Sequence, residues 1–171
     1  GSGDFDGDGR AEIAIWNQSS RIEFWGVGDD FVRLGQLSIR HSWDFNGIGD
    51  VDGDGTDDMI FQDRRERTIE VLLMSSDFST RKVVLDKQRI ARWKIIDSAD
   101  YDGNGQSDLL YRNLSGRRRG GAGVWHLTGD LHLDGDPLNL NLGLDLSVVG
   151  SADYDADGAA DLLVFDPATG E

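Results

Sequence analysis

Carboxylates recur in this chain at a spacing that can hold a metal ion. A nine-residue stretch (Asp, any residue, Asp, a small residue, Asp or Asn, Gly, two residues, an acid) occurs four times, as DFDGDGRAE, DVDGDGTDD, DYDGNGQSD and DYDADGAAD. Positions 1, 3 and 5 are Asp4, Asp6 and Asp8, then Asp50, Asp52 and Asp54, then Asp100, Asp102 and Asn104, then Asp153, Asp155 and Asp157. Position 9 is Glu12, Asp58, Asp108 or Asp161. Ca²⁺ is a hard cation that takes roughly six to eight oxygen ligands, and a tight loop delivers them from alternate positions when a glycine permits a sharp turn. Gly9, Gly55, Gly105 and Gly158 fill position 6. Position 7 varies in side chain (Arg10, Thr56, Gln106, Ala159), as expected where only its carbonyl binds. Up to four Ca²⁺ ions are therefore expected.

Turn chemistry alone places Asp and Gly in loops. It does not place acids at positions 1, 3 and 9 of every copy, where they repel one another without a cation. An EF-hand needs a bidentate Glu at position 12 and an outgoing helix. Here position 12 is Ile15, Phe61, Tyr111 or Val164, each inside a strand-like run.

The elements that carry these loops also repeat. Successive copies begin 46, 50 and 53 residues apart, a period that marks a repeat architecture. Runs of strand-forming residues follow the first loop as AEIAIWN, IEFWGV and FVRLGQLSI. WDFNGIG leads into the second loop, and DMIFQD, TIEVLLM and STRKVVL follow it. WKIIDSA, DLLYRN, GAGVWHL and a looser segment at Leu138 to Leu142 make the third unit; LSVVGSA and a strand ending at Val164 and Phe165 make a partial fourth. The units run approximately over 1–42, 43–92, 93–145 and 146–171. Each reads as four short antiparallel strands with the acidic loop between the first and second. The first unit lacks a recognisable first strand, which leaves about thirteen strands in all.

One four-stranded sheet cannot cover both its faces, so the units must stack, and radial stacking into a β-propeller is the expected all-β solution. Trp43, Trp93 and Leu146 each precede their loop by seven residues, and Trp25, Leu72 and Trp125 share one place in the third strand. That regularity assigns them to packing between sheets.

The loop, the aliphatic strand after it and the V-W-x-L of the third hairpin resemble the FG-GAP/VCBS-type repeats of integrin α-subunit propellers and bacterial secreted proteins. The literal Phe-Gly and Gly-Ala-Pro dipeptides are missing, which makes the chain more similar to the bacterial and lectin-like branch. The resemblance implies seven-bladed propellers with Ca²⁺ in the loops of some blades. It implies here an excerpt of a longer ring, or a chain whose ring is completed by others.

Composition narrows the function. Positions 1, 3, 5 and 9 of the loops hold fifteen of the 32 acids, and the formal charge of −15 excludes nucleic acid as a partner, since phosphate binding needs a basic face. Four bound Ca²⁺ would bring that charge to about −7. No apolar run is long enough to insert in a membrane. Without cysteine there is no thiolate chemistry. The clustered acids are already assigned to loops, and no G-x-S-x-G motif occurs, so no enzyme is expected. His41, His126 and His132 show no metal spacing and read as turn or surface residues. The insertion at 113–123 carries Arg117, Arg118 and Arg119, a solvated loop or a docking point for carboxylates, and Asn113-Leu114-Ser115 fits a glycosylation sequon. The expected function is a calcium-stabilised extracellular or cell-surface adhesion module. Its partner would be a protein, a carbohydrate, or further blades from the same or another chain. The alternative is a purely structural propeller segment of a larger secreted enzyme or toxin.

Overall fold

A computed structural model describes residues 1–17, 20–28, 30–86, 93–113, 115, 119–134, 140–141 and 146–170. Every regular element in it is a β-strand; no helix occurs among the described residues. The first sheet is β1 (Ser2–Gly3), β2 (Glu12–Asn17), β3 (Arg21–Val27) and β4 (Phe31–Ser38), in that order. The second is β5 (Trp43–Gly49), β6 (Asp58–Asp63), β7 (Thr68–Met74) and β8 (Thr80–Asp86). The third is β9 (Trp93–Ala99), β10 (Asp108–Asn113), β11 (Gly121–Thr128) and β12 (His132–Asp134), with β13 (Leu140–Asn141) also on β11. A fourth holds β14 (Ser147–Ala152) and β15 (Asp161–Phe165). These are repeated antiparallel sheets of the propeller-blade kind, and each acidic loop joins the first strand of a blade to its second.

Two differences from the sequence reading bring the strand count to fifteen among the described residues. The first blade does have a first strand: Ser2 and Gly3 pair with Ile13 and Glu12. Two residues are too short to show a pattern. The outer strand of the third blade is split, β12 pairing with residues 126–128 of β11 and β13 with residues 121–122. Both pieces keep to the one edge of β11.

Alternation explains why the sheets stack. Every residue of β6 and β7 is buried, because this blade is covered on both faces. On one side Met59, Phe61, Leu72 and Met74 pack against Phe5, Ala14, Ile22 and Phe24 of the first blade. On the other, Ile60, Ile69, Val71 and Leu73 meet Ile95, Leu109 and Leu127 of the third. Each buried side chain of this size contributes about 1.5–3 kcal/mol. Trp43 is 4% exposed and belongs to the core shared with the first blade, where it tilts against Phe61, while within the third blade Trp93 and Trp125 flank Tyr111 at 4.7 and 4.0 Å between ring centres.

First strands of neighbouring blades approach closely. A Cβ on Gly49 would lie 2.7 Å from Ser107 Cβ, and one on Gly47 would lie 2.5 Å from Ser98 Oγ. Glycine is therefore needed on this face of β5. Ser98 Oγ donates to Ile48 O at 2.8 Å, and Gln62 bridges to β9 through Trp93 O and Ile95 N, both at 3.1 Å. Each of β5, β9 and β14 also bulges by one residue, at Asn46, Ile96 and Val149, which adds local twist.

Candidate functional site

The acidic loops share one internal geometry. The carboxylate at position 1 accepts from the backbone N–H groups of positions 5 and 6: Asp8 and Gly9 on Asp4, Asp54 and Gly55 on Asp50, Asn104 and Gly105 on Asp100, Asp157 and Gly158 on Asp153. The oxygen at position 5 accepts the N–H of position 7, from Arg10, Thr56, Gln106 and Ala159. Position 9 reaches back to the N–H of position 2: Glu12 to Phe5, Asp58 to Val51, Asp108 to Tyr101, Asp161 to Tyr154. Positions 4 and 6 have positive φ in every copy. Glycine supplies that conformation except at Ala156, whose φ is 64°. An L-residue there costs about 1 kcal/mol.

This folding draws side-chain donors together. Oxygens of Asp4, Asp6 and Asp8 lie within 4.8 Å of one another, as do those of Asp50, Asp52 and Asp58, and of Asp153, Asp155 and Asp161. Glu12, Asp54 and Asp157 fall outside these triads. The third group is different: Asp102, Asp108 and His126, without Asp100. Four groups of three can thus hold metal ions. Of the position 7 side chains, the Thr56 hydroxyl bonds Asp54 and Arg10 is exposed.

Electrostatics marks the first two loops as short of positive charge. Asp58 is fully buried, and that burial, helped by Asp52 and Asp50, pushes its carboxyl up to about 7 despite the N–H groups of Met74 and Val51. Burial likewise raises Glu12, with repulsion from Asp6, Asp4 and Asp8 added, and raises Asp52, with Asp54 and Asp50 added. Asp52 Oδ1 is buried and has no hydrogen-bond partner. A divalent cation would satisfy that oxygen and relieve the repulsion together, so the all-oxygen set of the second loop fits Ca²⁺; Asp4, Asp6 and Asp8 of the first loop and Asp153, Asp155 and Asp161 of the fourth likewise offer only oxygen donors.

The loops are bonded to one another. Asp57 N donates to Asp4 O at 2.7 Å, Ser107 N to Asp50 O at 2.6 Å, and Ala160 N to Asp100 O at 2.7 Å. Position 8 of each loop therefore holds position 1 of the loop before it. In the second loop the Asp57 carboxylate also accepts Asp4 N at 2.8 Å.

His126 corrects the reading of the histidines. It lies in β11, and its Nδ1 is 3.0 Å from Asp108 Oδ2 and 3.4 Å from Asp102 Oδ2. Spacing along the chain could not find it, because β10 and β11 set the contact across the sheet. The one available signal is substitution within the repeat: the matching residues are Gly26 and Leu73. Asn113 is buried, 5% exposed, and accepts Ser115 N at 3.0 Å, so the sequon does not present its asparagine freely. Arg117 and Arg118 lie outside the described residues; Arg119 is exposed.

A second feature lies at the opposite end of the blades. An open cleft of about 360 Å³ between the first two is lined by Trp16, Ser20, His41, Trp43, Asp44 and Arg64. Trp16 is 43% exposed. Ser20 Oγ and His41 Nδ1 are 2.7 Å apart, and Arg64 Nε donates to Asp44 Oδ2 at 2.8 Å. The length of β5 separates Trp43 from the second loop, roughly 20 Å. The metal groups and the cleft thus occupy opposite rims. Compared with known proteins, the chain matches no family model and no curated protein.

Proposed function

We propose that this chain is a calcium-stabilised binding module of the FG-GAP/VCBS type, working outside the cell, that takes a carbohydrate in the cleft between its first two blades. The cleft is the observation that carries this reading. A sugar offers a C–H face and a fringe of hydroxyls; the exposed ring of Trp16 suits the first, and Asp44, Arg64, Ser20 and His41 suit the second. The Asp44–Arg64 pair is solvent-exposed, so it contributes little to stability and can exchange water for a ligand. The loops on the other rim support a structural role for Ca²⁺. If the sites have modest affinity, they fill only at the calcium level outside cells, in keeping with the proposed location.

A glycan array probed in Ca²⁺ tests the reading. The chain is expected to retain a defined set of glycans. Trp16→Ala should weaken the best of them roughly 30-fold, the equivalent of about 2 kcal/mol for one buried ring face. An array without specific retention, or equal retention by the variant, overturns it.

The architectural alternative has its own support. Ile15 and Phe61 share position 12, yet Phe61 is buried by the first blade whereas Ile15 is 48% exposed. Phe31, Val27, Leu163 and Phe165 are exposed at the two ends as well. Exposed apolar area of this kind suits further blades. An apolar dye that binds the 171-residue chain but not a longer form would favour that role.

A further inference from the structure

We propose that the junction between the third and fourth blades binds the carboxylate of a uronic-acid sugar, gripped by the guanidinium of Arg112 and attracted by Lys94. This rests on the reading of the chain as a carbohydrate-binding module and adds to it a second site, specific for an acid.

The residue after Ile15, Phe61, Tyr111 and Val164 is Trp16, Gln62, Arg112 and Phe165. Trp16 lines the cleft between the first two blades, and Gln62 crosses to the third, donating to Trp93 O and accepting from Ile95 N, both at 3.1 Å. Leu109 packs against the second blade, so alternation along β10 turns Arg112 the other way, toward the fourth. Arginine cannot bridge as Gln62 does, because it carries donors only and offers a strand N–H nothing. Nε and Nη2 of Arg112 are buried, and neither has a hydrogen-bond partner among the described residues. A buried charge is costly unless it is paired. The two atoms form one edge of the planar guanidinium, and their parallel N–H bonds match the two oxygens of a carboxylate. The residue as a whole is half-buried, which keeps that edge close to the rim.

The neighbouring strand adds a second cation. Lys94 of β9 stands directly opposite Arg112 and so shares its face of the sheet. Like charges placed this way repel, and an anion between them turns the repulsion into attraction. The second and fourth blades have no such pair: Asp44 is opposite Gln62, and Ser147 is opposite Phe165. Arg119, exposed on the hairpin closed by Gly120 N on Asn113 O, adds positive charge at the same end of the blade. The chain as a whole, at a formal charge of −15, repels a polyanion. One carboxylate on an otherwise neutral, hydroxyl-rich ring meets both conditions, which favours a sugar acid over an acidic peptide.

Calorimetric titration of the calcium-loaded 171-residue chain tests the proposal, with a glucuronate-terminated trisaccharide and with its glucose-terminated counterpart. The acid should bind at least about 10-fold more tightly than the neutral sugar, with the difference shrinking at high salt. Arg112→Gln places at this position the side chain that the second blade already accommodates, so the variant should fold. It should lose about 10–100-fold in affinity for the acid, the worth of one charged bidentate pair. Arg112→Lys keeps the charge without the fork and should lose nearly as much. Lys94→Gln should lose about 2–5-fold. Trp16→Ala, in the other cleft, should leave binding of the acid unchanged. Failure of the acid to bind, equal binding of acid and neutral sugar, or acid binding unchanged in both Arg112 variants overturns the proposal. So does acetate or an acidic peptide that competes as well as the trisaccharide, which would reveal an anion hole without preference for sugar. If the acid fails while neutral glycans are still held at Trp16, the first cleft stands. If the acid binds through Arg112 while no neutral glycan is retained, this site stands and the first cleft falls.

Discussion

Removing divalent ions with a chelator should lower the melting temperature by about 8–16 °C relative to calcium-loaded protein. The magnitude starts from the three all-carboxylate loops at 4–12, 50–58 and 153–161, each with three donors inside 4.8 Å. If free Ca²⁺ stands about tenfold above each dissociation constant, mass action contributes about 1.4 kcal/mol per site, or about 4 kcal/mol for three. For a chain of this length one kcal/mol moves the midpoint by about 2–4 °C. The second loop offers an internal check, because its Asp52 Oδ1 is a buried acceptor without a hydrogen-bond partner. Asp52→Asn should remove one site and about a third of the calcium-dependent shift. Melts followed by far-UV circular dichroism in chelator, Ca²⁺ and Mg²⁺ measure all of this. Mg²⁺ should restore less than Ca²⁺, since it demands octahedral geometry and gives up water reluctantly. Equal midpoints in chelator and calcium, or a full shift in Asp52→Asn, would refute the reasoning.

Three further outcomes follow from packing and charge. Gly49→Ala drives a methyl group into Ser107 and should destabilise by about 1–3 kcal/mol in urea titrations, with the loss recovered when Ser107→Gly is added. Ala156→Gly should stabilise by about 1 kcal/mol, because glycine accepts the positive φ at that position of the fourth loop. Asp63 is buried, which by itself raises its carboxyl, but the N–H groups of Glu66 and Arg65, the Ser42 hydroxyl and the Trp43 indole together hold it below the usual range. Its contribution is therefore present above the unfolded pKa and is lost as pH falls through the folded one. Asp63→Asn should cost about 2 kcal/mol at pH 7 and show a flatter loss of stability below about pH 4.

The blades were legible because their signals are local. Continuous apolar runs in DMIFQD and TIEVLLM, bounded by turn residues, place β6 and β7 to the residue, and the acidic motif marks where each first strand ends. What stayed hidden depends on contacts across the fold. Ser2 and Gly3 become a strand only because β2 lies beside them. The cleft gathers Trp16, Ser20, His41, Asp44 and Arg64 from two blades. Within the loops, composition showed which acids are present but not which converge: Asp8 joins its triad while Asp54 and Asp157 do not, and Asp58 and Asp161 join theirs while Glu12 does not, although the equivalent positions make the same backbone hydrogen bonds. His126 enters through the register of β10 with β11, which brings Leu109 opposite Trp125.

The bonds from Asp57 to Asp4, from Ser107 to Asp50 and from Ala160 to Asp100 have a consequence for how ions are taken up. Each loop's first residue offers its side chain to its own loop and its carbonyl to the next. Fixing that residue with an ion therefore fixes the next loop's entry into its strand, and the neighbour closes around its own ion at lower entropic cost. Nearest-neighbour coupling of this kind makes a row of sites fill as a zipper, with an uptake curve steeper than that of separate sites. The third loop sits between the second and the fourth, so its filling decides whether the row behaves as one zipper or two.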